Sequence, residues 1–148
     1  MTTRQRAGGI ADPSMVRSGP AGLVLDLAAI GAGAVAGAWL RWLLTLWLNP
    51  VHRYLPLGTW VANLLGGLLI GAALAWFARH PGLDAAWRLA GVTGFLGALT
   101  TFSAFTAESL VLLQSGRYGW ALLHTGGHVV GCLAAAAAGH HLVSIGAR

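Results

Sequence analysis

Gly91-Val92-Thr93-Gly94-Phe95-Leu96-Gly97-Ala98-Leu99-Thr100-Thr101-Phe102-Ser103-Ala104-Phe105-Thr106-Ala107-Glu108 is the stretch that decides how this chain is read. Glycine first recurs at every third position, at Gly91, Gly94 and Gly97. A run of hydroxyls follows, Thr100, Thr101 and Ser103, with Phe102 and Phe105 flanking the serine. The whole stretch lies inside a long apolar segment. Hydrocarbon is a costly place for such a cluster unless it faces protein, water or an ion. These residues are therefore the candidate functional centre.

Composition supports a membrane setting. Of 148 residues, 56% are hydrophobic and only 9% are charged, whereas a soluble domain carries about a quarter charged residues. The pattern predicts an all-α membrane protein with four spans and no extramembrane domain. The net charge of +5 comes from nine basic residues, all of them arginine, against four carboxylates. No basic patch is interleaved with aromatics, so the charge reads as topology and lipid contact rather than nucleic-acid binding. The lone Cys132 cannot form an internal disulfide.

Residues 1–22 are polar and turn-rich and read as a disordered tail, ahead of a membrane domain over 23–148. The first span is expected at about 23–48. Gly33, Gly37 and Arg41 recur there every four residues and share one face. Two readings of Arg41 are open: snorkelling to the interface, or an inward arginine that concentrates anions at a vestibule. Asn49-Pro50 ends the helix.

The second span, about 57–78, sets Asn63, Gly67 and Gly71 on one face. Asn63 is either an interhelical hydrogen bond or a pore-lining donor. The third, about 86–114, is longer than the roughly 20 residues a straight crossing requires. Tilt or a central break accounts for the excess, and the break belongs among Gly94, Gly97, Thr100 and Thr101. A broken helix frees backbone carbonyls and amides that bind ions. The fourth span, about 120–143, carries His124, His128 and Cys132 at spacing four, and Gly127 and Gly131 as a small-residue face. Most tryptophans (Trp47, Trp60, Trp76, Trp87, Trp120) fall near span ends, as interfacial belts do. Four helices enclose no obvious pore alone, so oligomerisation is expected.

The central residues suit a small anion. Phe102 and Phe105 are three apart and lie on the same side of a helix. Aromatic rings carry a positive edge, which attracts an anion without the full counter-charge that would trap it. Hydroxyls of Thr101, Ser103 or Thr106 and the Asn63 amide add donors. On spacing alone, packing or lipid contact accounts for such phenylalanines as well.

Gly94-Phe95-Leu96-Gly97-Ala98-Leu99-Thr100-Thr101-Phe102-Ser103-Ala104-Phe105 resembles the signature of the CrcB/Fluc fluoride channels. Gly58-Thr59-Trp60-Val61-Ala62-Asn63-Leu64-Leu65-Gly66 resembles that family's second-helix motif, and Gly37-Ala38-Trp39-Leu40-Arg41 its first. The resemblance spans about residues 30–110. It implies a multi-pass protein of the plasma or inner membrane that pairs as an antiparallel dimer with two narrow fluoride pores. It implies passive export of fluoride from the cytoplasm. By position, Phe102 and Phe105 would be the ring-edge ligands and Asn63 a pore donor, with Thr101 and Ser103 beside the track. Arg41 would match a vestibule arginine and Glu108 an acidic position near one pore end. Backbone carbonyls of Gly97 and Thr100 would hold a structural sodium at the dimer axis. His124 and His128 stand where the family has a tyrosine and a serine, which points to a pore whose conduction depends on pH.

Rival readings are a small transition-metal transporter, built on His124, His128 and Cys132, and a proton-coupled drug exporter. The metal reading lacks a nearby carboxylate and spreads its ligands over two turns. An exporter of that kind depends on a glutamate in its first helix, and here the first span holds only Asp26. An enzyme is not expected, since no nucleophile–base constellation, phosphate loop or carboxylate pair is present. Arg4, Arg6, Arg17, Arg79, Arg88 and Arg148 fall on one side of the membrane, and Arg53 and Arg117 on the other. The bias favours a cytoplasmic N-terminus. It leaves open both an antiparallel homodimer and a heterodimer with an inverted homologous subunit.

Overall fold

A computed structural model describes residues 19–146. Residues 1–18 of the expected tail, and Arg148, lie outside the described residues. The elements are α1 (Pro20–Leu48), a 3₁₀ turn (Asn49–Val51), α2 (Leu57–Arg79), α3 (Ala85–Arg88), a π-helix (Leu89–Leu96), α4 (Gly97–Leu99), α5 (Phe102–Gln114) and α6 (Tyr118–Ile145). Four segments are long and apolar enough to cross a membrane: Pro20–Val51, Leu57–Arg79, Ala85–Gln114 and Tyr118–Ile145. The protein is a multi-pass membrane protein, with large apolar side chains such as Trp39, Trp47 and Leu122 on its outer surface.

Local chemistry sets the ends. α1 starts at Pro20, ahead of the expected Leu23, because proline needs no N–H partner in a first turn. The Asp84 carboxylate accepts from the Ala86 N–H and caps α3. After α5, Gly116 takes φ 69°, and the Arg117 N–H closes onto the Leu112 carbonyl, so the chain reverses within a few residues. Arg79, at the end of α2, donates to the Val143 and Ser144 carbonyls at 2.7 and 2.8 Å. That places a cation at the negative end of α6.

Two close helix pairs make the bundle. α2 packs along α6, and α1 packs along the π-helix and α4. Small residues set both seams. A Cβ at Gly71 would collide with the Ala136 carbonyl, and one at Gly139 with the Leu68 carbonyl. Across the other seam, Gly33 faces Ala90, Gly37 faces Phe95 and Gly94 faces Ile30, backbone against backbone. The glycines expected on shared faces thus do serve as contact points. Gly94 and Gly97, however, do not break the third span. Gly94 lies in the π-helix and Gly97 is helical, while Thr100 and Thr101 leave the helical region with ψ of 152° and 115°.

The eight-residue π-helix was not expected from sequence. Trp60 also departs from the interfacial role. Its ring lies against Gly127, where a Cβ would collide with Cζ2, and it meets the His128 ring edge-on at 5.8 Å.

Gly71→Ala is expected to cost about 1–3 kcal/mol by forcing α2 off α6, seen as a lower thermal midpoint in detergent. Gly119→Ala, with open space around it, should leave the midpoint unchanged or raise it.

Candidate functional site

The interruption between Leu99 and Phe102 releases backbone groups inside the bundle, and Asn63 takes up two of them. Its Oδ1 accepts from the Thr101 N–H at 2.8 Å, and its Nδ2 donates to the Thr101 carbonyl at 3.2 Å. The Thr101 hydroxyl accepts from the Ala104 N–H at 3.1 Å and caps α5. In an unbroken helix, the Thr101 and Ala104 N–H groups would close on the carbonyls of Gly97 and Thr100. Both carbonyls are therefore deprived of their helical donors. Arg41 lies on the same break: its Nε donates to the Ala98 carbonyl at 3.0 Å. Of the two readings of Arg41, neither anticipated this bond.

Phe102 and Phe105 do share a side of α5, with ring centroids 5.3 Å apart. Their surroundings differ. Phe105 is 9% exposed and packs among the helices, whereas Phe102 is 79% exposed on the outside of the chain. Both line an open groove of about 490 Å³, together with Asn63, Gly97, Thr100, Thr101, His128 and Cys132. The Ser103 hydroxyl lies 3.1 Å from that of Thr101. Thr106 instead returns its hydroxyl to the Phe102 carbonyl, at 2.8 Å.

A polar chain continues past Phe105. The rings of His124 and His128 lie 5.5 and 4.8 Å from the Phe105 ring and 4.4 Å from each other. His124 is fully buried. Its Nε2 is 3.5 Å from Glu108 Oε2, while Glu108 Oε1 accepts from the Thr59 hydroxyl at 2.6 Å. Among the described residues, Glu108 Oε2 is buried without a hydrogen-bond partner, while the buried rings of His124 and His128 face backbone groups of Phe105 and Thr59. His128 Nδ1 lies 2.9 Å from the His124 carbonyl. Since a carbonyl only accepts, that nitrogen carries the proton.

Glu108 also reaches a second groove, of about 480 Å³, at the end of the bundle where α1 passes to α2 and α5 to α6. There the guanidinium groups of Arg53 and Arg117 lie 5.5 and 3.9 Å from the Tyr54 ring centroid. The His52 Nδ1 ties the loop by accepting from the Tyr54 and Leu55 N–H groups.

The structure brings the candidate residues Asn63, Gly97, Thr100, Thr101, Phe102, Phe105 and His128 onto one groove. Ser103 is attached to it through Thr101. Glu108 and His124 lie beyond Phe105, and Arg41 is reached through the Ala98 carbonyl. Sequence reasoning missed Thr59 and Trp60 as members of the site. Thr59 sits within a quoted motif, but its partner Glu108 is 49 residues away. The metal-transporter reading gains no support: among the described residues, no group of three His, Cys, Asp or Glu could hold a metal ion. Cys132 instead abuts Gly67 through its backbone.

Comparison with known proteins agrees. The family model described as "CrcB-like protein, Camphor Resistance (CrcB)" matches residues 28–140. A protein of Cupriavidus pinatubonensis, named a fluoride-specific ion channel FluC, is 55% identical over 121 residues, covering 82% of this chain and 93% of that one. Proteins with the same name from Aromatoleum aromaticum and Chromohalobacter salexigens are 56% and 59% identical over 105 and 110 residues. They cover 71% and 74% of this chain and 80% and 83% of their own. None of these relatives bears the name of a metal or drug transporter. With most of its length matched and more than half the aligned residues identical, the chain belongs to the CrcB family.

Proposed function

We propose that this protein is a fluoride-selective channel that lets fluoride leave the cytoplasm by passive conduction, and so protects against fluoride toxicity. The observation that carries the proposal is the set of ring edges and donors gathered on one groove in a chain whose relatives are named fluoride-specific ion channels. Fluoride enters from acidic surroundings as neutral HF and is trapped inside as the ion. A passive path for the ion is then enough to drain it.

Conduction requires a site that replaces the hydration shell yet lets go. The edges of Phe102 and Phe105 provide weak attraction. The positive end of α5 begins at Phe102 and adds partial charge. The Asn63 Nδ2 group has a second hydrogen beyond the one given to Thr101, and Thr101 and Ser103 contribute hydroxyls. Arg41 supplies positive charge at the vestibule beside the break. Glu108, His124 and His128 form the wall past Phe105.

The groove is open on one side, and Phe102 is exposed there. An antiparallel second copy, or an inverted homologous subunit, closes it in this reading. The Gly97 and Thr100 carbonyls would hold a structural sodium shared between the two chains. Hard oxygen ligands without competing N–H donors suit that cation. When bound, sodium would supply a positive charge to which the carbonyls of both chains could turn.

Reconstituted in liposomes, the protein should release fluoride rapidly. Asn63→Ala should slow that release about tenfold or more, the equivalent of one lost charge-assisted hydrogen bond of about 1.5 kcal/mol, and Phe102→Ile should slow it too, by removing a ring edge. Unchanged fluoride flux in both variants would refute the assignment of these residues.

Replacing sodium with a large organic cation should lower the dimer's thermal midpoint in detergent. An identical midpoint in both media would refute the sodium site. Crosslinking of the singly expressed protein should trap a dimer if one gene suffices, and only monomer if an inverted partner is needed.

A further inference from the structure

A carboxylate beside an anion path poses an electrostatic problem. Glu108 has one oxygen satisfied by Thr59 and the other buried without a hydrogen bond. An unshielded negative charge there repels fluoride, and low dielectric strengthens the repulsion. The nearest group able to cancel it is His124, fully buried, with Nε2 3.5 Å from the free oxygen. We infer that Glu108 and His124 hold one proton between them while the channel conducts, and that loss of this proton shuts off fluoride conduction. The inference rests on the channel reading above and adds a control to it.

One proton makes the pair neutral, whether it sits on the imidazole beside a carboxylate or on the carboxyl beside a neutral ring. Raising the pH sends that proton to water and leaves one negative charge next to Phe105. The other groups around the pair do not replace it. From α2, Thr59 and Trp60 do not titrate in this range. On α6, His128 is one turn along, and its Nδ1 proton is committed to the His124 carbonyl. A second positive charge on it would stand 4.4 Å, ring to ring, from a charged His124. α5 contributes Glu108 itself. On the loop side, Arg53, Arg117 and His52 line the groove that reaches Glu108. The two guanidinium groups draw anions toward that end. His52 uses Nδ1 within its own loop.

The test is fluoride efflux from liposomes at matched internal and external pH from 6 to 9, with leak from protein-free vesicles subtracted. Flux should fall by about tenfold per pH unit above the pair's midpoint, as a single shared proton is lost. Glu108→Gln should flatten the profile whatever its absolute rate, because no negative charge then appears. His124→Phe should move the fall to lower pH, since the carboxyl alone must then keep the proton. Flux in the unmodified protein that is flat across this range would overturn the inference while leaving the channel reading standing, and it requires no variant to fold. The same fall in Glu108→Gln would overturn it too. No flux above protein-free vesicles at any pH would overturn the channel reading and the shared proton together.

Discussion

The double hydrogen bond between the Asn63 amide and the backbone of Thr101 is the constraint on which the rest depends. A helix cannot stop inside a membrane without satisfying the groups it releases. Asn63 satisfies a donor and an acceptor at once, on a residue with extended backbone. With Thr101 held, its hydroxyl is free to cap α5, and α5 can begin anew at Phe102. The direction in which the two phenylalanines leave the helix follows from that restart.

The seams of small residues make the clamp possible. Asn63 reaches Thr101 because α2 lies close to the interrupted span, with Gly66 directly against the Thr100 methyl. α1 comes near enough for Arg41 to bond the Ala98 carbonyl because Gly33, Gly37 and Gly94 leave no side chain between backbones. Packing of this kind gives the membrane domain its specificity without a hydrophobic drive between helices. The small buried cluster of Ala62, Leu96 and Leu99 sits at this junction rather than forming a large core.

Much of this was legible in the sequence because membranes restrict the choices. Apolar length gives the four spans, and glycine spacing gives the faces that touch. The excess length of the third span, with two threonines in its middle, marked the interruption. Less could be read where the outcome depends on neighbours. Gly94 and Gly97 looked like breakers, yet both stay helical, because α1 uses the room at Gly94 and the turn widens into a π-helix instead of opening. From sequence, Asn63 reads as either helix glue or a pore donor. It bonds the freed backbone of Thr101, a partner that exists only once the helix has broken. Trp60 looked interfacial from its position near a span end, but Gly127 on α6 makes a seat for it. The Thr59–Glu108–His124 chain joins three helices, so no local pattern reports it.

The central claim is that the groove beside the break is a path for fluoride and not for anions in general. The most direct test is parallel fluoride and chloride efflux from liposomes holding the purified protein, each read with its own ion-selective electrode. The account predicts fast fluoride release with chloride near the level of protein-free vesicles. Comparable release of both ions, or of neither, would contradict it.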